Sequence, residues 1–109
     1  MKLLPTTIEG VSIVETNLFS DHRGSSARLF CERELAGVIG GRKIVQINYS
    51  RTASPGTVRG MHYQNPPCAE MKLIRCIKGR VWDVAIDLRA GSPTFLKWHA
   101  EELTPQNAR

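Results

Sequence analysis

The chain has 109 residues and a mass of 12.2 kDa, a size that normally buries one core and leaves little room for a second domain. Apolar residues make up 41% and charged residues 23%, as in ordinary soluble globular proteins, and no run approaches the roughly 20 apolar residues of a membrane-spanning helix. The net charge of +5 points to anionic partners, yet the basic residues are interleaved with acids, as in Asp21-His22-Arg23, Glu32-Arg33-Glu34 and Asp87-Leu88-Arg89. A phosphorylated small molecule explains such an excess as well as nucleic acid does, and nucleic acid is not the expected partner.

At the N-terminus the apolar run Leu3-Leu4 stops at Pro5-Thr6-Thr7, so no secretory signal is expected and a cytoplasmic location follows. Short runs rich in Val, Ile, Leu and aromatics, punctuated by turn residues, predict strands over 11–15, 26–31, 44–50, 57–63, 71–78, 81–88 and 97–103. One short helix is expected over 32–36, closed by Gly37, with Gly40 and Gly41 in the loop beyond. The class is therefore all-β, a sandwich or barrel with one short helix. The stretch 81–88 places Trp82, Val84, Ile86 and Leu88 on one face, expected to be core, and Asp83 and Asp87 on the other. A two-residue turn at Gly79 would pair 71–78 with 81–88 and put Lys72, Ile74 and Cys76 on the face of Asp83, Ala85 and Asp87, around one polar hollow. Arg59 and His62 have opposite parity, and a bulge at Gly60 would bring both to one cavity.

Candidate chemistry sits mostly in the middle of the chain. Three cysteines, Cys31, Cys68 and Cys76, show no zinc-type spacing and read as reduced thiols, with Cys76 a small core residue. The chain has three histidines, His22, His62 and His99, and Gln64 stands two residues after His62, so no metal centre is expected. Without metal, His62 can act as a general base because its ordinary pKa lies near neutrality; the alternative is a histidine satisfied by a backbone carbonyl. Lys72 either snorkels to solvent or faces the hollow with the aspartates. Arg23 and Arg59, each followed by glycine, carry the planar fork suited to phosphate oxygens, or lie on the surface. Gln46 and Asn48, on one face of a strand, can read a base edge or bond a sheet edge.

Six motifs taken together resemble a known family. Phe19-Ser20-Asp21-His22-Arg23-Gly24, Val45-Gln46-Ile47-Asn48-Tyr49-Ser50, Val58-Arg59-Gly60-Met61-His62-Tyr63-Gln64, Lys72-Leu73-Ile74-Arg75, the stretch from Gly79 to Arg89 and Gly91-Ser92-Pro93-Thr94-Phe95 follow, in order, the signature of the dTDP-4-dehydrorhamnose 3,5-epimerases. The resemblance implies a metal-free, cofactor-free cupin-like jelly roll that dimerises through its sheets. It implies an isomerase of dTDP-rhamnose biosynthesis that inverts carbons 3 and 5 of a dTDP-4-dehydro-6-deoxy sugar through enolates. By matching position, His62 resembles the general base and Lys72 the cation that holds the enolate oxygen. Arg23 and Arg59 resemble substrate and pyrophosphate contacts, Gln46 and Asn48 nucleotide-binding positions, and Asp83 belongs to the same substrate-binding set.

The chain departs from the family pattern at Ser25 and Ser26, where an aromatic pair is usual, at Arg28, where a glutamate is usual, and at Glu70, in a segment that is usually neutral. It also reads as a domain, 1–109, that stops little past halfway along a typical member. The family's general-acid tyrosine and the aspartate that orients the histidine fall outside it, with strands that close the jelly roll. If the chain stands alone, the resemblance implies a dimer or larger assembly that buries open sheet edges against a second copy. A non-catalytic sugar-nucleotide-binding domain, or a dimeric β-domain that binds nucleic acid or protein, is the alternative.

Overall fold

The two ends of the chain build the regular structure. In the computed structural model, which describes all 109 residues, Lys2–Pro5 (β1) pairs antiparallel with Ser12–Glu15 (β2), in register from Lys2 opposite Glu15 to Pro5 opposite Ser12. Thr6 shapes the connection: its hydroxyl accepts the Ile8 N–H at 3.1 Å and donates to the Val11 carbonyl at 2.9 Å, and Ile8 is buried. Leu18–Asp21 (β3) and Gly24–Ala27 (β4) form a second hairpin around His22 and Arg23. The expected strand over 26–31 thus ends at Ala27, because Ala27 faces Leu18, the first residue of its partner, and no backbone lies opposite residues 28–31.

The helix (α1) runs Glu32–Ile39, three residues past the expected last residue, Ala36. A glycine inside a helix costs about 1 kcal/mol against alanine, too little to end one whose face continues from buried Leu35 to half-buried Val38 and Ile39 at i+3 and i+4. The stop falls at Gly40, whose φ of +58° suits glycine and whose N–H closes on the Ala36 carbonyl. Glu32 and Glu34 lie in the first turn, where the helix dipole favours acids.

From Arg42 to Arg80 the chain forms no regular element. The strands expected over 44–50, 57–63 and 71–78 therefore make no ladders, and every residue from Gly40 to Ile74 is exposed. Only two backbone–backbone hydrogen bonds touch this stretch, from Arg42 to Ile39 and from Cys68 to Asn65. The expected hairpin around Gly79 is absent. Val81–Ile86 (β5) instead pairs antiparallel with Trp98–Leu103 (β6), from Val81 opposite Leu103 to Ile86 opposite Trp98. The two strands are consecutive in the chain, joined by the loop over residues 87–97.

The face expected to be core is likewise reversed. Trp82, Val84, Ile86 and Trp98 stand exposed, while Asp83, Ala85, His99 and Glu101 are half-buried and Leu103 is buried. The C-terminal turn lies against that charged side: Arg109 bridges Glu101 at 2.6 Å and Glu15 at 2.9 Å, so it ties β6 to β2. Nearby, Thr16 bonds the Ala108 carbonyl through its N–H at 3.0 Å, and the Arg75 guanidinium donates to the Thr16 hydroxyl and to the same carbonyl.

Seven residues are buried, Ile8, Thr16, Leu35, Cys76, Asp87, Leu103 and Ala108. The radius of gyration is 15.2 Å against about 13 Å for a close-packed chain of this length, which records how much of the surface is open. Charge is segregated too. Residues 42–80 hold eight of the fifteen Lys and Arg and one of the ten acids, a net of +7, and the flanking segments carry −2.

Candidate functional site

Asp87 shows how the ends of the chain fix their geometry. Its carboxylate accepts the Arg89 N–H at 2.9 Å, the Arg89 guanidinium, the Ser92 hydroxyl and the Thr94 hydroxyl at 2.7 Å, and Arg89 reaches on to the Glu9 carbonyl at 2.7 Å. The Arg89 guanidinium, followed by the two hydroxyls, holds the Asp87 carboxyl far below the usual range. Every acceptor is used, so Asp87 locks the loop between β5 and β6 and does not face a hollow with Lys72, as the sequence reading had it. Cys76, expected in the core, is buried, and its thiol donates to the Lys78 carbonyl at 3.3 Å.

The expected site residues fall in three places. Arg23 stands at the tip of the β3–β4 hairpin, where its guanidinium grips Asp21 at 2.6 Å and its remaining donors face solvent. That guanidinium, with the Arg23 N–H, lowers the Asp21 pKa. Gln46, Asn48, Arg59, His62 and Lys72 all lie exposed within 42–80. Gly60, at φ +101°, packs under the His62 ring: a Cβ there would lie 3.4 Å from His62 Nδ1, so the glycine gives the imidazole its place. The bulge expected at Gly60 needs a ladder, and none forms. Lys72 Nζ lies 3.1 Å from Glu70 Oε1. Asp83 is half-buried on β5, directly opposite Glu101, and burial raises its pKa.

No secondary-structure ladder joins Arg23, Lys72 and Asp83, and the shared face predicted for Lys72 and Asp83 rested on the hairpin that does not form. The sequence reading also passed over Phe19. Its ring, on the first residue of the Phe19-Ser20-Asp21-His22-Arg23-Gly24 motif, is exposed on β3 and lines two adjoining grooves of about 500 and 490 Å³. The first is completed by Asn17, Ser26, Arg28 and Glu34, the second by Asp21, Arg23 and Ser25. An aromatic at an exposed strand position between two arginines is the signal that could have found it. Arg28 is held by Glu34, and Glu34, which also accepts from the Met1 amine, has its pKa lowered to about 2. No three His, Cys, Asp or Glu side chains converge in a way that would hold a metal ion.

What this arrangement offers is an exposed imidazole, an ammonium and several guanidiniums on a strongly cationic, open stretch, and separately, on β3, an exposed aromatic. Such groups suit an anionic, ring-bearing ligand. The family model for dTDP-4-dehydrorhamnose 3,5-epimerase matches residues 5–109. The dTDP-4-dehydrorhamnose 3,5-epimerase of Shigella flexneri is 41% identical over 111 residues, covering 100% of this chain and 60% of that protein. The crystal structure of the Bacillus anthracis dTDP-4-dehydrorhamnose 3,5-epimerase with TDP and PPi bound superposes with a TM-score of 0.91 at 36% identity, over 98% of this chain and 61% of that one. The Legionella pneumophila dTDP-6-deoxy-D-glucose-3,5-epimerase, solved in complex with dTDP-4-keto-L-rhamnose, superposes with a TM-score of 0.90 at 34% identity, over 98% and 56%. The chain spans about three-fifths of the length of the relatives it matches. With its strands, its single helix and nearly its whole trace shared with these cupin-like jelly rolls, the chain belongs to the dTDP-4-dehydrorhamnose 3,5-epimerase family.

Proposed function

We propose that this chain supplies the proton-abstracting part of a sugar-nucleotide 3,5-epimerase acting on a dTDP-4-dehydro-6-deoxy sugar. The observation that carries the reading is the family match over residues 5–109, a span that contains His62 and Lys72, the residues whose motifs resemble the family's general base and enolate-holding cation. In this reading His62 takes the proton from the carbon beside the 4-keto group. The C–H electron pair moves onto the carbonyl oxygen, and the Lys72 ammonium holds the enolate oxygen. A proton delivered by water from the opposite face inverts the carbon, and His62 gives up its own proton to solvent. The reaction is redox-neutral and calls for no cofactor.

Arg59 and Arg23 hold the pyrophosphate, Gln46 and Asn48 contact the nucleotide, and Asp83 orients the sugar from β5. The Legionella structure holds dTDP-4-keto-L-rhamnose and the Bacillus structure TDP and PPi, which supports a thymidine-diphosphate ligand of this kind. The reading also takes the chain as one cupin-like epimerase domain that works in the cytoplasm as a homodimer or larger assembly. For that assembly the exposed Trp82, Val84, Ile86 and Trp98 face of β5–β6 is the natural contact. No helix is long and apolar enough to cross a membrane.

Solvent deuterium uptake at carbons 3 and 5 of dTDP-4-dehydro-6-deoxyglucose, followed by NMR, tests the catalysis. Uptake above the buffer rate that disappears in His62→Ala supports it. No uptake at either carbon, or uptake unchanged by that substitution, leaves a binding domain as the answer, and saturable dTDP binding would then be its signature.

A further inference from the structure

The half-buried side of β5–β6 carries charged groups that the epimerase reading, Asp83 apart, does not use. Asp83 stands directly opposite Glu101, and Ala85 opposite His99. Glu101 Oε1 takes Arg109 Nη1 at 2.6 Å, and Arg109 Nη2 reaches Glu15 Oε2 on β2 at 2.9 Å. Beside them the Arg75 guanidinium donates to the Thr16 hydroxyl and the Ala108 carbonyl, and the Thr16 N–H donates to that same carbonyl at 3.0 Å. Together these contacts clamp the C-terminal turn between β6 and the end of β2.

One atom of the clamp is unsatisfied. His99 Nε2 is buried without a hydrogen-bond partner, and Glu101 Oε2 lies 3.6 Å away, just beyond hydrogen-bond reach. The two side chains are only 23% and 19% exposed, so water screens their interaction little. A bare Nε2 sets two acceptors side by side, whereas a proton on Nε2 turns the same approach into a charge-assisted hydrogen bond. Arg109 occupies Oε1 and His99 faces Oε2, so both bonds fit on Glu101 at once. Charge points the same way. The carboxylates of Asp83, Glu101 and Glu15 meet two guanidiniums, those of Arg109 and Arg75, and a proton on His99 balances the cluster.

We propose that His99 and Glu101 form a proton-operated latch on this clamp, closed when the imidazole is charged and donates through Nε2 to Glu101, and loosened when the proton leaves. The charged imidazole favours the docked turn, so the latch is present on the acid side of the histidine range and is lost as pH rises through it. Asp83, whose carboxyl burial pushes toward the neutral form, relieves the same negative excess on acidification, and a substitution at His99 separates the two effects. The inference rests on the clamp alone and stands whether or not the chain turns over a sugar nucleotide.

The Thr16 amide, which donates to Ala108 across the clamp, is the reporter. Its hydrogen-exchange protection, corrected for the intrinsic rate, is expected to fall about tenfold between about pH 5.5 and about pH 8. In His99→Gln the fall is expected to shrink below about twofold, whereas His22→Gln, at the exposed tip of the β3–β4 hairpin, is expected to keep it in full. Nitrogen-15 NMR of the unsubstituted protein reads the ring itself, and at about pH 5.5 it is expected to show His99 Nε2 carrying a slowly exchanging proton. Equal Thr16 protection at the two pH values, a fall that persists in His99→Gln, or a His99 Nε2 without its proton at about pH 5.5 overturns the proposal.

Discussion

Residues 42–80 and the segments that flank them have similar strand-like patterning, but they are in different physical states. The flanks hold all the ladders, the helix and six of the seven buried residues; the middle holds Cys76 alone and almost no backbone hydrogen bonds. The flanks carry −2 and the middle +7. A strand is a property of two backbones, and a β-rich sequence becomes a ladder only where its partner is present. In the flanks partners are near in the chain, as in β1–β2 and β3–β4, or are brought close by the Asp87 lock, as in β5–β6. The middle has the residues and forms no ladder. Chemistry and stability are thereby separated, with most candidate site residues in the region that contributes least to the fold.

The sharpest way to break that separation is a pair of substitutions with opposite effects. His62→Ala is expected to lower deuterium uptake at carbons 3 and 5 by about 100-fold or more, the scale of a lost general base, with no change in thermal midpoint because the ring is exposed. Leu35→Ala, which empties the one fully buried large side chain, is expected to destabilise by about 2 to 5 kcal/mol. The matched change Ile47→Ala in the middle is expected to stay within about 0.5 kcal/mol. Thermal unfolding of the three variants checks this. A midpoint for Ile47→Ala as low as that of Leu35→Ala would show that the middle shares the core.

A smaller effect sharpens the comparison through pH. Glu34 has a folded pKa lowered to about 2 by the Met1 amine and Arg28, and Asp87 is lowered by Arg89, Ser92 and Thr94. For a carboxyl whose folded pKa lies below its unfolded value, ionisation favours the folded state. The contribution is complete above the ordinary carboxylate range and is lost as pH falls through the folded value. Stability is therefore expected to decline from about pH 4.5 toward pH 2, and Asp87→Asn is expected to flatten part of that decline while lowering the midpoint at pH 7. Both groups lie in the flanks, so β5–β6 signals should follow the acid transition.

Much of the fold class was legible because binary patterning survives without context. Trp82, Val84 and Ile86 do share a face, 81–86 and 98–103 are strands, and the helix begins at Glu32 as expected. Pairing was not legible. Gly79 carries the local mark of a hairpin, yet β5 takes its partner from 98–103, a choice set by topology rather than by the turn. Burial of the two sheet faces was not legible either, since the parity of Val81 to Leu88 says that the faces differ, and only the cover supplied by Arg109 and the C-terminal turn says which one closes. Leu3-Leu4-Pro5 was passed over as a strand because the proline sits at its end, where an edge strand tolerates it. The residue types of the site were readable from motifs, but their common placement was inferred through a hairpin that does not form.

The smallest expected effect concerns Glu70, the single acid in the cationic middle, and it connects the charge pattern to the chemistry. Lys72 and Glu70 face each other at 3.1 Å with both side chains more than a third exposed, so the pair adds little to stability in water. It does spend the positive charge that the proposed enolate needs, because a carboxylate beside the ammonium competes with the developing oxyanion. Glu70→Gln keeps the length of the side chain and removes the competitor. Deuterium uptake is expected to rise a few-fold and the thermal midpoint to stay unchanged, whereas Lys72→Met is expected to lose most of the uptake. A Glu70→Gln variant slower than the parent would mean that the carboxylate positions Lys72 rather than restrains it, and the acid would then belong to the site.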